Sequence, residues 1–347
     1  MKELRIGNKV ARVPIIQGGM GVGVSRGKLA GAVAKEGGVG IISTAQIGYD
    51  REGFENDPEA CNVAAIKEEL AYAKSQADGG LVGVNVMAAL KNYREHVKTA
   101  VEAKADVVIC GAGLPMDLPE LIGDSDTKFA PIVSSKRAAN LLLRRWEKKY
   151  ACTADFVVIE GPKAGGHLGF SKEEAEADFN YDEEIKAIIE LVNEYGKKFE
   201  KDIPVIVAGG VFTKEDIEHA FSLGASGVQM ASRFVATKEC DASDTYKQAY
   251  INASEKDVTI IQSPVGLPGR AVNNAFLKKV KEGKTKVTRC YQCLSACNPA
   301  EAPYCITKAL IEAVKGNLDD GLIFCGANVG KIDKIVSVHE LMEELTK

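Results

Sequence analysis

Much that would narrow a function quickly is scarce in this sequence. Its 347 residues carry no excess of one charge, with 44 Lys and Arg against 48 Asp and Glu, a net charge of -4. That balance offers no basic field for nucleic acid, and no dense Lys/Arg tract with interleaved aromatics occurs. No run of 18 apolar residues is present, so no membrane span is implied. The N-terminus, Met1-Lys-Glu-Leu-Arg-Ile6, lacks the apolar stretch of a secretory signal peptide. The expectation is a soluble cytoplasmic protein. In that compartment its nine cysteines are expected as thiols, metal ligands or packing residues, not as disulfides. Histidine is scarcer still, with four in the chain, so the surroundings of each one are informative.

What the sequence does contain is a repeated unit. Eight short apolar runs recur: Val13-Pro-Ile-Ile16, Val39-Gly-Ile-Ile42, Leu81-Val-Gly-Val84, Val107-Val-Ile-Cys110, Ala130-Pro-Ile-Val133, Phe156-Val-Val-Ile159, Val205-Ile-Val207 and Gly227-Val-Gln-Met230. Amphipathic helical patterns lie between them, at residues 25–35, 63–74, 93–103, 136–149, 183–194 and 214–223. A weaker one at 114–122 is interrupted by Pro115 and Pro119. Alternation of strand and helix requires a parallel sheet, because each return crossover carries a helix. Continuous apolar runs fit strands covered on both faces. Eight units close a (β/α)8 TIM barrel, and the eighth counts against an open doubly wound sheet. Gly224 is placed to end the helix before the last run. Thr213 caps its start, with Asp216 in the first turn. After about residue 240 the pattern stops. A turn-rich loop, Ser263-Pro-Val-Gly-Leu-Pro-Gly-Arg270, a charged solvated stretch at 278–286 and a cysteine-rich tail follow. The expected organisation is a barrel over 1–276 and a small appended cysteine-containing region over 277–347 that packs on it.

In such a barrel the reactive face lies at the C-terminal ends of the strands. The segments after the runs there are rich in glycine: Gln17-Gly-Gly-Met-Gly-Val-Gly23, then Ala208-Gly-Gly-Val211, with Gln229-Met-Ala-Ser232 after the eighth. Backbone N–H groups in turns after the seventh and eighth strands commonly bind phosphate. No Walker A pattern occurs, and Gly18-Gly-Met-Gly-Val-Gly23 matches the dinucleotide fingerprint too loosely to be one. The sixth run leads into Glu160-Gly-Pro-Lys-Ala-Gly-Gly-His-Leu-Gly169, four glycines around a single histidine, the side chain whose unperturbed pKa lies near neutrality. Ser134 and Ser135 follow the fifth run, either in the same cleft or as caps of the next helix. His96 and His219 fall in helical patterns and His339 in the tail, which leaves His167 as the candidate catalytic imidazole. In the tail, Cys290, Cys293, Cys297 and Cys305 stand within sixteen residues, with Cys325 further on. Four thiolates can hold an iron–sulfur cluster or zinc. This spacing matches neither the ferredoxin nor the zinc-ribbon pattern, so buried or redox-active thiols are the competing reading.

The landmarks Pro14-Ile-Ile-Gln-Gly-Gly-Met20, Gly83-Val-Asn85, Ala164-Gly-Gly-His-Leu-Gly169, Val207-Ala-Gly-Gly-Val211 and Gln229-Met-Ala-Ser232 carry a family resemblance. From Val13 to about Phe276 the chain resembles the FMN-dependent nitronate monooxygenases, once called 2-nitropropane dioxygenases. That family also contains FMN-dependent enoyl-acyl-carrier-protein reductases. The resemblance implies non-covalent FMN, with the flavin ring against Gly18, Gly19 and Met20, a contact from Asn85, and Gly165 under the ring or ribityl chain. It implies a phosphate held by Gly209, Gly210, Gln229, Met230, Ala231 and Ser232. Glu160 stands where relatives often have glutamine, and a carboxylate there accepts from a ribityl hydroxyl but does not donate. Ala231-Ser232 replaces a common Gly-Thr, and serine still donates to phosphate. His167 would face the reactive edge of the flavin.

The leading expectation is oxidation of a nitronate or nitroalkane by FMN and O2 to a carbonyl compound and nitrite. The alternative is NAD(P)H-dependent reduction of an enoyl thioester on acyl carrier protein. A flavin-binding redox sensor using the tail cysteines ranks third. The expected partner is a small-molecule substrate, and the oligomer is left open between monomer and homodimer.

Overall fold

The computed structural model describes residues 1–177 and 179–347. Eight parallel strands close a barrel: β1 (Ile15–Gln17), β2 (Val39–Ser43), β3 (Leu81–Met87), β4 (Val107–Gly111), β5 (Lys128–Val133), β6 (Val157–Glu160), β7 (Val205–Ala208) and β8 (Gly227–Met230). Each pairs with its neighbours in sequence, and β8 returns to β1 through Val228↔Ile15 and Gln229↔Ile16. All eight expected runs are strands of this barrel.

The reason these runs are continuous is visible in the packing. Successive strand side chains point to opposite faces, and here both faces are cores. Ile16, Ile41, Val107, Ile109, Val158 and Ile206 fill the barrel interior. Their neighbours Ile15, Ile42, Val108, Cys110, Val157, Ile159 and Val207 face the surrounding helices. An N-terminal hairpin, Leu4–Ile6 with Lys9–Ala11, adds Leu4 and Ile6 to the interior cluster and closes the end where the strands begin.

The helices follow the expected patterns with shifted ends. The second runs over Pro58–Gln76 because Asp57 accepts from Ala60 N at 3.0 Å and Pro58 opens the first turn. The weak pattern at 114–122 contracts to Leu118–Ile122, where Pro119 sits in the first turn and does no harm. Thr213 and Asp216 form a reciprocal capping box, and Gly224 takes φ +102° just beyond the same helix.

Beyond β8 the structure is more ordered than the sequence suggested. The turn-rich loop is the tip of an antiparallel hairpin, Val258–Gln262 with Pro268–Val272. The stretch expected to be solvated begins in a helix, Ala275–Lys281, whose Phe276 and Leu277 are buried. The last helix, Val338–Thr346, lies against Gly27–Lys35, with Met342 close to Gly38 and His339 Nδ1 3.0 Å from Glu36. The end of the chain therefore stands in the outer ring of the barrel. No helix among the described residues is long and apolar enough to cross a membrane.

Candidate active site

The strands end in a cleft of about 230 Å³ at the C-terminal face of the barrel. Every cofactor-contact residue expected from the sequence lines it, and so does His167. The turn after β1 is held from below. The Gln17 side chain exchanges two hydrogen bonds with the backbone of Ile41, imitating a ladder rung. Gly19 lies so close to Asn85 that a Cβ would fall 2.3 Å from the Asn85 Cβ. Glycine is required there so that the β1 turn and the β3 side chain share one wall.

At the opposite wall, Gly209 and Gly210 take φ +88° and +99°, a conformation that side chains resist. A Cβ on Gly209 would lie 2.7 Å from Gly161 O, and one on Gly210 3.0 Å from the Lys163 Cβ. Beside them Ser232 Oγ accepts from Gly326 N at 3.0 Å, which leaves its hydroxyl hydrogen free to donate. Gln229 Oε1 is buried without a hydrogen-bond partner among the described residues, a costly arrangement unless a ligand donates to it. The two-glycine cradle, the free hydroxyl and the orphaned amide oxygen suit a phosphate-bearing cofactor with hydrogen-bond donors, as FMN is.

His167 is the imidazole of this cleft. His96, His219 and His339 pair elsewhere, with Thr44, Asp182 and Glu36. The His167 backbone joins the C-terminal hairpin through Gly269, and its Nε2 lies 2.8 Å from Ser263 Oγ. Its ring meets Phe324 edge-on, with centroids 4.9 Å apart. Burial pushes its pKa down to about 4, so the ring is neutral near pH 7. Its Nδ1 has no hydrogen-bond partner among the described residues.

Low burial-shifted values have a stability signature. The folded pKa of His167 lies below its unfolded value, so the unfolded chain binds the proton more readily between about 4 and 6.5. Stability is therefore complete above about pH 6.5 and falls as the pH drops to about 4, by up to about 3 kcal/mol. Urea midpoints of the cofactor-free protein are expected to fall more steeply between pH 6.5 and 4.5 than those of His167→Gln. Parallel curves for the two proteins would show that the imidazole is not held neutral.

Several residues of the site gave no signal in the sequence. Arg270 is buried, and its guanidinium donates to the carbonyls of Pro162, Ala164 and Ala175, clamping the His167 loop from behind. The tail supplies a whole wall at residues 324–328. Ala327 N donates to Lys163 O at 3.2 Å, Asn328 Nδ2 to Gly210 O at 2.8 Å, and the Cys325 backbone fits against Gly165 so tightly that a Cβ there would stand 2.6 Å away. The one readable hint was the apolar run Leu322-Ile-Phe324 entering Cys325-Gly326. Ser134 and Ser135 lie outside the cleft, and Ser135 caps the helix Lys136–Tyr150.

The tail thiols are not gathered as a metal site. All nine cysteines are free, and among the described residues no three His, Cys, Asp or Glu side chains are placed to hold a metal ion. Cys290 is exposed, Cys293 packs beside the apolar cluster of Phe276, Leu277 and Tyr304, and Cys325 belongs to the cleft wall. Burial raises the Cys293 pKa to about 11, which keeps it a thiol. Cys290, Cys293, Cys297 and Cys305 lie near enough to feel one another's charge, but proximity alone does not make a ligand set.

A closed barrel with a glycine cradle, an orphaned amide and a neutral imidazole at its strand ends defines a cofactor-dependent TIM-barrel enzyme. Comparison with known proteins gives the particular family. The model of the family described as nitronate monooxygenase matches residues 3–347, and the chain belongs to that family of FMN-dependent oxidoreductases. A probable nitronate monooxygenase of Staphylococcus aureus (strain JH9) is 26% identical over 302 residues, covering 78% of each chain. FabK from Thermotoga maritima is 28% identical with a TM-score of 0.74, over 96% of this chain and 92% of that one. Nitroalkane oxidase from Streptomyces ansochromogenes, at 20% identity and a TM-score of 0.72 over 96% and 95% of the two chains, shares the fold.

Proposed function

We propose that the protein oxidises nitronates or nitroalkanes at an FMN bound in the strand-end cleft, giving a carbonyl compound and nitrite. The observation that carries this reading is His167, a neutral imidazole with an unpartnered Nδ1 at the cleft wall. Deprotonating a nitroalkane needs a base that is unprotonated at the working pH and within reach of the acidic carbon. Ser263 fixes the ring through Nε2, and the Phe324 edge limits its rotation. Nδ1 then takes the α-proton, or orients the nitro group when the substrate arrives as the nitronate anion. Gly18, Gly19, Met20 and Asn85 would bear on the flavin ring, with Gly209, Gly210 and Ser232 on its phosphate. The bound FMN supplies the electron transfer between substrate and O2.

A second reading is NAD(P)H-dependent reduction of an enoyl thioester. Lys163 favours it: this exposed lysine lines the cleft and pairs with no carboxylate among the described residues. An ammonium so placed suits the phosphates of a nicotinamide nucleotide or of an acyl-carrier arm. One experiment separates the readings. FMN-loaded protein is mixed anaerobically with a nitronate, NADH or NADPH, and flavin absorbance is followed. Bleaching by the nitronate, with nitrite released on admitting air, is the expected result. Bleaching by a nicotinamide nucleotide alone would replace the first reading with the second.

A further inference from the structure

Glu160 is a carboxyl group in an unusual position. It ends β6 with its backbone paired to Ala208, and its side chain lines the cleft between the Gly209 turn and the His167 loop. No cation answers it. Arg270, the arginine behind the same loop, is held by three backbone carbonyls. Tyr181, which enters the helix Asp182–Lys198, gives its hydroxyl hydrogen to Ser134 O at 2.7 Å. Lys163 is exposed at the rim. Arg233 lines the same cleft but pairs with Glu344, and the other titratable groups there, His167, Cys325, Tyr246 and Tyr250, are neutral imidazole, thiol and phenols. Among the described residues, the Glu160 carboxyl has neither an ion pair nor a hydrogen bond. The group is half-buried in the wall of the cleft, and a carboxylate there with neither cation nor donor is poorly stabilised, so it takes up a proton instead.

We propose that Glu160 is a neutral carboxylic acid in the folded protein and donates its proton in a hydrogen bond to an acceptor atom of FMN. The donation rests on the FMN reading above. A neutral carboxyl has the donor-plus-acceptor character of a primary amide, whereas a carboxylate only accepts. Burial alone raises the Glu160 pKa to about 8, so the donor form prevails at pH 7 and is lost as the pH rises through that value. Over the same interval His167 stays neutral, while burial holds the Cys325 thiol at about 12 and pushes the Tyr181 hydroxyl upward. None of these groups changes charge between pH 7 and 9.

Two measurements test the proposal. The first uses cofactor-free protein and needs no FMN: infrared difference spectra of wild type between pH 7 and 9, and of wild type minus Glu160→Gln at pH 7. A protonated-carboxyl C=O band present at pH 7, lost at pH 9 and missing from Glu160→Gln is the expected result. Its absence overturns the proposal. The second is FMN titration by quenching of flavin fluorescence. Wild type is expected to bind about tenfold more weakly at pH 9 than at pH 7. Glu160→Gln is expected to bind within about twofold of the wild-type pH 7 value at both pH values. Tenfold weaker binding by Glu160→Gln at pH 7, or an unchanged pH dependence, overturns the donor role. A protein that shows the band but binds no FMN at either pH overturns the cofactor reading and the donation with it, while the proton stays on Glu160.

Discussion

His167→Ala is expected to keep FMN and lose about 10²–10⁴-fold of its turnover on a neutral nitroalkane, the usual cost of removing a general base. Gly209, Gly210, Ser232 and Gln229 stand on β7 and β8 and the turns that follow them, whereas the His167 ring bonds to Ser263 in the C-terminal hairpin, so the substitution is expected to spare the cofactor walls. No other imidazole lines the cleft, and the Ser263 hydroxyl that orients the ring is far too weak a base to replace it. The same substrate supplied as its nitronate needs no proton removed, so a purely basic His167 predicts a much smaller loss there. Equal losses on both forms would assign the ring to orienting the nitro group. Undiminished turnover on both, in a protein still yellow, would falsify a catalytic His167.

The second large effect concerns retention of the cofactor. Gly209→Val is expected to give a folded barrel that elutes colourless from gel filtration, with FMN affinity reduced about 10²-fold or more. The added Cβ would lie 2.7 Å from a backbone oxygen of Gly161, which cannot rotate away as a side-chain tip can. At φ +88° a valine also carries about 1–3 kcal/mol of backbone strain. Relief of both requires the turn after β7 to move, and with it the N–H groups that the proposed site would offer to the phosphate. Circular dichroism should match wild type, because the strand itself ends at Ala208. A Gly209→Val protein that holds one FMN per chain would mean that the phosphate binds elsewhere.

The barrel was legible because its strands serve two cores at once. Ile41 and Ile42, or Val107 and Val108, face opposite layers, so every strand reads as an unbroken apolar run with glycine or a turn behind it. The cleft was legible for a related reason, since strand ends and their turns are local in sequence and the barrel gathers them. Residues that act from a distance left no such trace. Ser263 lies 96 positions from His167, and nothing local distinguishes it from any turn serine. Arg270 looks like a surface cation until its three carbonyl partners are seen. The cysteine tail left two readings open, because Cys290, Cys293, Cys297 and Cys305 are close in sequence and near enough in the fold to feel one another's charge, yet among the described residues no three of them are placed to hold a metal ion.

The wall at residues 324–328 also sets an order on how the protein is made. A ribosome that has released all eight strands has still not released the segment that seals Gly165, ties down Ser232 and reaches Gly210. The barrel can begin to fold as it emerges, yet one wall of the cleft waits for residues 324–328. A ligand stabilises only the species that binds it, so a cofactor held in this cleft would favour chains that carry residues 324–328 over shorter ones.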